Sequence, residues 1–338
     1  MTKVIEKEDR LELIQRLSGV IEETLWPLIR PGEPCALLDF PNYANVGDSA
    51  IWLGAVGCLK KLGAVITYTS DISNHSNKVL SEKIGHGTIL LNGGGNVGDT
   101  WPAHQSFREM IIETFPNHSI VQLPQSICFK NRENLRRAKK IFNRHADLTL
   151  LVRDQESFNV AKNEFKCQVF LCPDMAFALG PLEVAADSGK RGLALLRSDG
   201  ESALNGAALW AELDRTDWLK DDFSLALFIY KQAAGLCREF PNRLRSASHR
   251  LSKCYDTVAG IRLTRGSHLL SRYGYVVTDR LHGHVLCVLL GIRHICLDNN
   301  NGKLKNFYET WTSDCALTHW AMSTQEAMEW LRLEGIHD

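Results

Sequence analysis

At 338 residues the chain exceeds what one small core needs, and two domains are expected. Its 44% hydrophobic and 23% charged content is that of a globular protein, and a formal net charge of +0 excludes a global attraction to nucleic acid. No run approaches the ~18 apolar residues of a membrane span. The charged segment Met1 to Arg10 lacks the apolar core of a signal peptide, so a cytoplasmic location is expected. Ten cysteines are scattered through apolar runs without any CxxC pair, which points to reduced, buried thiols and to no metal site.

Leu11, Ile14, Leu17, Ile21, Leu25 and Leu28 recur at helical spacing, so Glu8 to Ile29 is expected to be an amphipathic helix, kinked at Pro27. Cys35 to Phe40 reads as a first strand. A polar turn through Asn45, Gly47 and Asp48 then opens a helix over Ala50 to Leu62, capped by Asp48 or Ser49. Such strand-loop-helix turns hold anions, although a plain capped turn explains the pattern as well. Val65 to Thr69 is the next strand, followed by a helix near Lys78 to Ile84. Thr88 to Leu91 runs into Asn92-Gly93-Gly94-Gly95-Asn96, where consecutive glycines let another molecule approach the backbone. The segment is neither GxGxxG nor a Walker loop, so no nucleotide fingerprint is present. Helix Trp101 to Phe115, strand Ile120 to Leu123 with Pro124-Gln125-Ser126 at its edge, and basic helix Arg132 to His145 follow. Strand Leu148 to Val152 ends in Arg153, and strand Gln168 to Leu171 ends in Cys172-Pro173-Asp174. These βα repeats predict an open, parallel, doubly wound sheet over residues 1–182.

Pro181, Ala185, Ala186, Ser188 and Gly189 interrupt the pattern and mark a boundary. A second domain is expected over 190–338, its first strand Gly192 to Leu196 ending at Arg197. Phe223 to Leu236 is helical and apolar. Between Lys231 and Arg272 nine Lys or Arg stand against Glu239 and Asp256, read equally as a solvated hairpin or as a surface for an anionic substrate or lipid headgroups. An apolar run, Tyr273 to Val277, leads through Thr278-Asp279-Arg280-Leu281-His282-Gly283-His284 into a buried helix. Residues at such a crossing sit at the carboxyl edge of a parallel sheet, where α/β proteins bind ligands. His294 to Leu297 is a strand ending in Asp298 to Lys303, and Thr324 to Leu333 is a last helix.

Three segments taken together resemble the polysaccharide pyruvyl transferase family: Phe40 to Asp48 (FPNYANVGD), Leu90 to Asp99 (LLNGGGNVGD) and Thr278 to His284 (TDRLHGH). The closing run Leu297 to Trp311 resembles its exopolysaccharide branch. The resemblance runs in order from about residue 37 to 312. It implies an α/β fold of two Rossmann-like, doubly wound domains, GT-B-like, with the active site in the interdomain cleft. It implies that the enolpyruvyl unit of phosphoenolpyruvate moves to sugar hydroxyls as a pyruvate ketal, with no further cofactor. It assigns donor contacts to Arg280, Leu281 and His282, and to one upstream arginine, for which Arg153 and Arg197 both stand.

The residue types suit that chemistry. Guanidinium forks bond phosphate and carboxylate oxygens in pairs. A histidine of ordinary pKa ~6.5 has both forms at hand near neutrality. His282 is therefore the expected general acid and Arg280 the expected anion clamp, while His284, two residues on, points elsewhere. Asp279 is expected to cap the helix. Lys303 adds a cation, Tyr308 a stacking face for a sugar, and Asn45, Asp48, Asn92, Gly94 and Asn96 form the expected acceptor side. The expected acceptor is a saccharide, lipid-diphosphate-linked because a cytoplasmic enzyme must meet it before export, and the basic stretch would then face the inner membrane surface. A nucleotide-sugar glycosyltransferase of the same fold and a non-catalytic saccharide binder are the competing readings, and oligomeric state is not legible.

Overall fold

A computed structural model describes residues 2–183, 189–197, 213–240, 247, 250–298 and 302–333. Strands of three to nine residues, most of them apolar, form two parallel sheets. The first holds β1 (Pro34–Leu38), β2 (Val65–Ser70), β3 (Thr88–Leu91), β4 (Gly94–Gly98), β5 (Ile120–Cys128), β6 (Leu148–Val152) and β7 (Gln168–Leu171). Its order is β2-β1-β3-β5-β6-β7, with β4 paired to β5. The second holds β8 (Gly189–Leu195), β9 (Asp214–Thr216), β10 (Tyr273–Thr278), β11 (His294–Leu297) and β12 (Thr318–Ala321), in the order β12-β11-β10-β8-β9. Strand order reverses between β1 and β3 in one sheet and between β8 and β10 in the other. Loops part at such switch points and leave a crevice at the strands' carboxyl ends.

The helices are α1 (Thr2–Leu25), α2 (Val46–Lys61), α3 (Asn77–Ile84), α4 (Pro102–Thr114), α5 (Arg132–Phe142) and α6 (Gln155–Glu164), then α7 (Leu225–Glu239), α8 (Tyr255–Ser271), α9 (Leu281–Leu290), α10 (Lys303–Phe307) and α11 (Thr324–Leu333). One continuous core joins inner-face residues of both sheets, such as Leu37, Leu90 and Leu151 with Leu195 and Val276, to apolar faces of α1, α2, α8 and α9. Helix α8 follows the second sheet's early strands yet packs on the first sheet: Tyr255 stacks on Phe40 with centroids 3.9 Å apart, and Trp52 Nε1 donates to Asp256 Oδ1 at 3.0 Å. This contact holds the two sets of strand ends in fixed register.

Several local expectations change. The first helix ends at Leu25, and Trp26–Leu28 is a 3₁₀ turn where Pro27 has no amide to donate. The cap of α2 is Asn45, whose side chain accepts from Gly47 N; Asp48 lies in the first turn instead. The glycine-rich segment is not wholly a loop, because Gly94–Gly98 pairs with β5 and thereby keeps Pro124, Gln125 and Ser126 inside that strand. All ten cysteines are free, and seven are buried. No helix among the described residues is long and apolar enough to cross a membrane. Arg243 and Arg245 of the basic stretch, and Asn299 to Asn301 of the loop after β11, lie outside the described residues.

Candidate active site

A cavity of about 490 Å³ opens at the carboxyl ends of both sheets. Arg153 enters it from the end of β6, Arg197 from β8, Arg280, Leu281 and His282 from the turn between β10 and α9, and Lys303 from the start of α10. The turn after β1 supplies Tyr43, Asn45 and Asp48, and the β3–β4 region supplies Gly95 and Asn96. Four permanent cations thus face the cavity, with Asp48 as the carboxylate among the lining residues. An anion entering this space exchanges water for guanidinium and ammonium groups.

The chain fixes each group by a local device. Arg153 is buried, and its NH1 donates to Asp174 Oδ2 at 2.6 Å. Its Nε donates to Ser126 Oγ at 3.0 Å, and Ser126 in turn donates to Asp154 Oδ2 at 2.6 Å. Trp311 Nε1 grips the Arg153 carbonyl at 2.9 Å, tying the segment after α10 to the end of β6. Arg280 occupies the cap position of α9; its amide donates to Thr278 Oγ1 at 3.1 Å and its NH2 to Asp217 Oδ2 at 2.5 Å. Asp279 is not the cap. Its buried carboxylate accepts from Arg197 N at 2.8 Å and so links the turns after β8 and β10. Burial pushes the Asp279 carboxyl up to about 6.

His282 has a carboxylate partner. Its Nε2 faces Asp174 Oδ2 at 3.3 Å, so Asp174 holds an arginine and a histidine together beneath the cavity. Burial alone would raise this carboxyl. The neighbouring His282 and Arg153 outweigh it and hold Asp174 well below the usual carboxylate range. Behind His282 lies Gly47: a Cβ there would come within 2.4 Å of the imidazole Cγ. Gly47→Ala is therefore expected to lower turnover by about 10- to 100-fold, since ~1 Å of misplacement costs that much. Thermal melting should fall modestly, since overpacking costs about 1–3 kcal/mol, so turnover is read well below the melting range. Turnover that matches wild type would show that the ring tolerates displacement. Gly95 has a similar role on the other wall, where a Cβ would stand 2.9 Å from Arg153 NH2 and 3.5 Å from Lys303 Nζ.

A second Asp–His pair was not foreseen. His104, near the start of α4, lines the cavity and donates from Nδ1 to both oxygens of Asp39 at 2.8 and 3.0 Å. With its proton at Nδ1, a neutral His104 presents Nε2 as an acceptor. Asp39 has φ 68°, and it alone among the described non-glycine residues has positive φ. Backbone strain of this kind costs about 1–3 kcal/mol and persists where surroundings impose it. Tyr43 and Trp101 stand at the cavity rim, 40% and 47% exposed, and present aromatic faces. The only sequence signals for these groups were the positions of Asp39 after β1 and His104 near a helix start.

Other expected site residues lie elsewhere or do other work. Tyr308 is not at the cavity; it stacks on Trp320 at 5.0 Å. Asn92 is buried beneath it, its carbonyl accepting from Gln122 and Gln125. Gly94 sits behind Gly95 in β4, off the cavity wall. Asn45 and Asn96 do line the cavity while also stabilising turns: Asn45 Nδ2 donates to Asp48 Oδ2 at 2.7 Å, and Asn96 Oδ1 accepts from buried Arg108 at 2.5 Å. His284 is fully buried. Its Nδ1 meets His294 Nε2 at 2.7 Å and its Nε2 meets Thr312 Oγ1 at 2.8 Å. With Cys296 these two histidines bring their donor atoms within 4.8 Å of one another. The 2.7 Å spacing is that of a shared proton, and burial drives both imidazoles toward the neutral form, His294 down to about 4. The chain continues from His294 Nδ1 to the Ile292 carbonyl at 2.8 Å, which fixes one run of tautomers through the core.

The family model described as polysaccharide pyruvyl transferase matches residues 45–301, which include Asn45 and the turn that carries Arg280 and His282. EpsO of Bacillus subtilis (strain 168) is 32% identical over 90% of this chain and 92% of its own length. Pyruvyl transferase 1 of Schizosaccharomyces pombe is 30% identical over 83% of this chain and 70% of its own. The fold is shared with the crystal structure of a functionally uncharacterized Klebsiella pneumoniae protein, with a TM-score of 0.57 at 18% identity, covering 91% of this chain and 98% of that one. The chain belongs to the polysaccharide pyruvyl transferase family, and its chemistry is pyruvyl transfer.

Proposed function

We propose that the cavity binds phosphoenolpyruvate and transfers its enolpyruvyl unit to two hydroxyls of one saccharide residue, giving a pyruvate ketal and phosphate. The observation that carries this is the convergence of four cations and His282 on one cavity. Arg280, Arg197, Arg153 and Lys303 are the donor's phosphate and carboxylate partners, with Leu281 beside them. The arrangement is read as two GT-B-like domains, 1–182 and 190–338, with the donor on the second.

In the reaction His282 gives a proton to the methylene carbon, which becomes the methyl group while the adjacent carbon takes on cationic character. A sugar hydroxyl attacks that carbon, the carbon–oxygen bond to phosphate breaks, and a second hydroxyl closes the ring. His104, held by Asp39, accepts a hydroxyl proton through Nε2; the other hydroxyl proton leaves with phosphate or returns to His282. Tyr43 and Trp101 offer the acceptor sugar its stacking faces. The acceptor is a cell-surface saccharide, lipid-diphosphate-linked and met in the cytoplasm.

The test is phosphate release from phosphoenolpyruvate across cell-envelope saccharides, with ketal formation followed by mass. Release should require an acceptor. Arg280→Lys should raise KM for phosphoenolpyruvate by about tenfold or more, since a lysine loses the paired hydrogen bonds of the fork. Tight binding of uridine diphosphate, with no release from phosphoenolpyruvate for any acceptor, would overturn the reading.

A further inference from the structure

Helix α7 has two apolar faces. Leu227, Tyr230, Ala234 and Cys237 are buried along one side, the first three of them within the main core. On the opposite side Leu225, Phe228, Ile229 and Leu236, at steps of three, four and seven residues, share one face and are 64, 51, 58 and 53% exposed. Phe223, 87% exposed, extends the stripe at its start. A helix buried on one face ordinarily turns polar residues outward. Here the outer face carries four large apolar side chains, interrupted by Gln232 and followed by Glu239.

We infer that this stripe docks the enzyme on an anionic lipid surface. Charge distribution favours lipid over other occupants. From Lys220 to Lys253, the stretch that contains the stripe, the sequence holds seven cations (220, 231, 238, 243, 245, 250, 253) against Asp221, Asp222 and Glu239. Apolar side chains entering the headgroup boundary beside such a basic segment are the pattern of an interfacial helix. A second copy of the chain fits less well, because a symmetric pairing through this helix would set two positively charged segments against each other. The stripe also begins close to the site along the chain. The chain leaves the cavity wall at Trp218 and Leu219 and reaches Phe223 four residues later.

The start of α7 is firmly anchored. Asp221 is buried and accepts from Arg262 Nε at 3.2 Å and Lys231 Nζ at 2.9 Å, with Arg265 NH1 at 3.3 Å. Arg262 also reaches the Pro41 carbonyl, and Arg265 the Ala44 carbonyl, both in the turn that leads into the cavity. Docking through α7 therefore holds the acceptor side of the cavity near the lipid surface. This deepens the acceptor reading above and is tested apart from it, since vesicle binding is measured without turnover.

The experiment is co-sedimentation of the full chain with phosphatidylcholine vesicles, with and without phosphatidylglycerol. Wild type should bind the anionic vesicles, and added salt should weaken binding. The double variant F228E/L236E should bind at least about tenfold less, two large apolar side chains being withdrawn from lipid, while its melting temperature stays at the wild-type value. Absence of binding by wild type, or undiminished binding by the double variant, overturns the inference. So does a wild-type dimer that the double variant splits and vesicles leave intact.

Discussion

Replacing His282 with alanine is expected to cut turnover by about 10²–10⁴-fold, the range for loss of a positioned general acid. The imidazole is held on one side by Gly47 and at Nε2 by Asp174, so its position is set before any donor arrives. His282 and Arg153 hold the Asp174 carboxyl well below the usual carboxylate range, so it is ionised near neutrality and accepts from both. The variant should lose less stability than Asp174→Ala, because Arg153 still pairs with Asp174, and it should remain folded under assay conditions. Phosphate release measured under saturating phosphoenolpyruvate is the check. His282→Gln should fail equally, since an amide has the shape and the hydrogen bonds but no transferable proton at neutral pH. If either variant turns over near the wild-type rate, the proton comes from elsewhere.

The second large effect is on stability. Asp174→Ala is expected to destabilise the fold by about 3–5 kcal/mol, the cost of stranding a buried partner charge, here Arg153. Arg153 is 3% exposed and would lose its 2.6 Å acceptor. The loss also removes the cap of the 3₁₀ helix Met175–Leu179, where Asp174 Oδ1 accepts from Ala176 N. Chemical denaturation at neutral pH measures the difference. The pH dependence has a definite sign. The folded-state carboxyl lies below its unfolded value of ~3.9, so its contribution is complete above that pH and fades as pH falls below ~4. Wild type and Asp174→Asn should therefore converge in acid and diverge toward neutrality. A constant difference from pH 3 to 7 would mean that Asp174 acts by shape and hydrogen bonding alone.

Much of the fold is local in origin and was legible. Short apolar runs alternating with helical periodicity specify parallel strands and crossover helices, because a strand's and a helix's side chains repeat with different periods along the chain. The strand ends followed: once Arg153, Arg197, Arg280 and Lys303 stand just after strands, a parallel sheet brings them to one edge without further information. That is why nine of the expected site residues line one cavity, although they are spread from Asn45 to Lys303.

What the sequence could not decide is which groups meet across the fold. Asp174 and His282 are 108 positions apart, and Asp39 and His104 are 65 apart. No periodicity encodes such pairs; they arise where turns distant in the chain meet in space. Asp279 looked like a cap because its neighbours fit one, yet the amide of Arg197, 82 positions away, claims its carboxylate. Tyr308 carries a ring suited to a sugar, and the packing of Trp320 decided that the ring turns inward. Composition and periodicity determined the sheets, the helices and the edge where cations gather. Only the tertiary structure chose each cation's carboxylate and the face each ring presents, because those choices depend on distance in space and on burial, which neighbouring residues in the chain do not set.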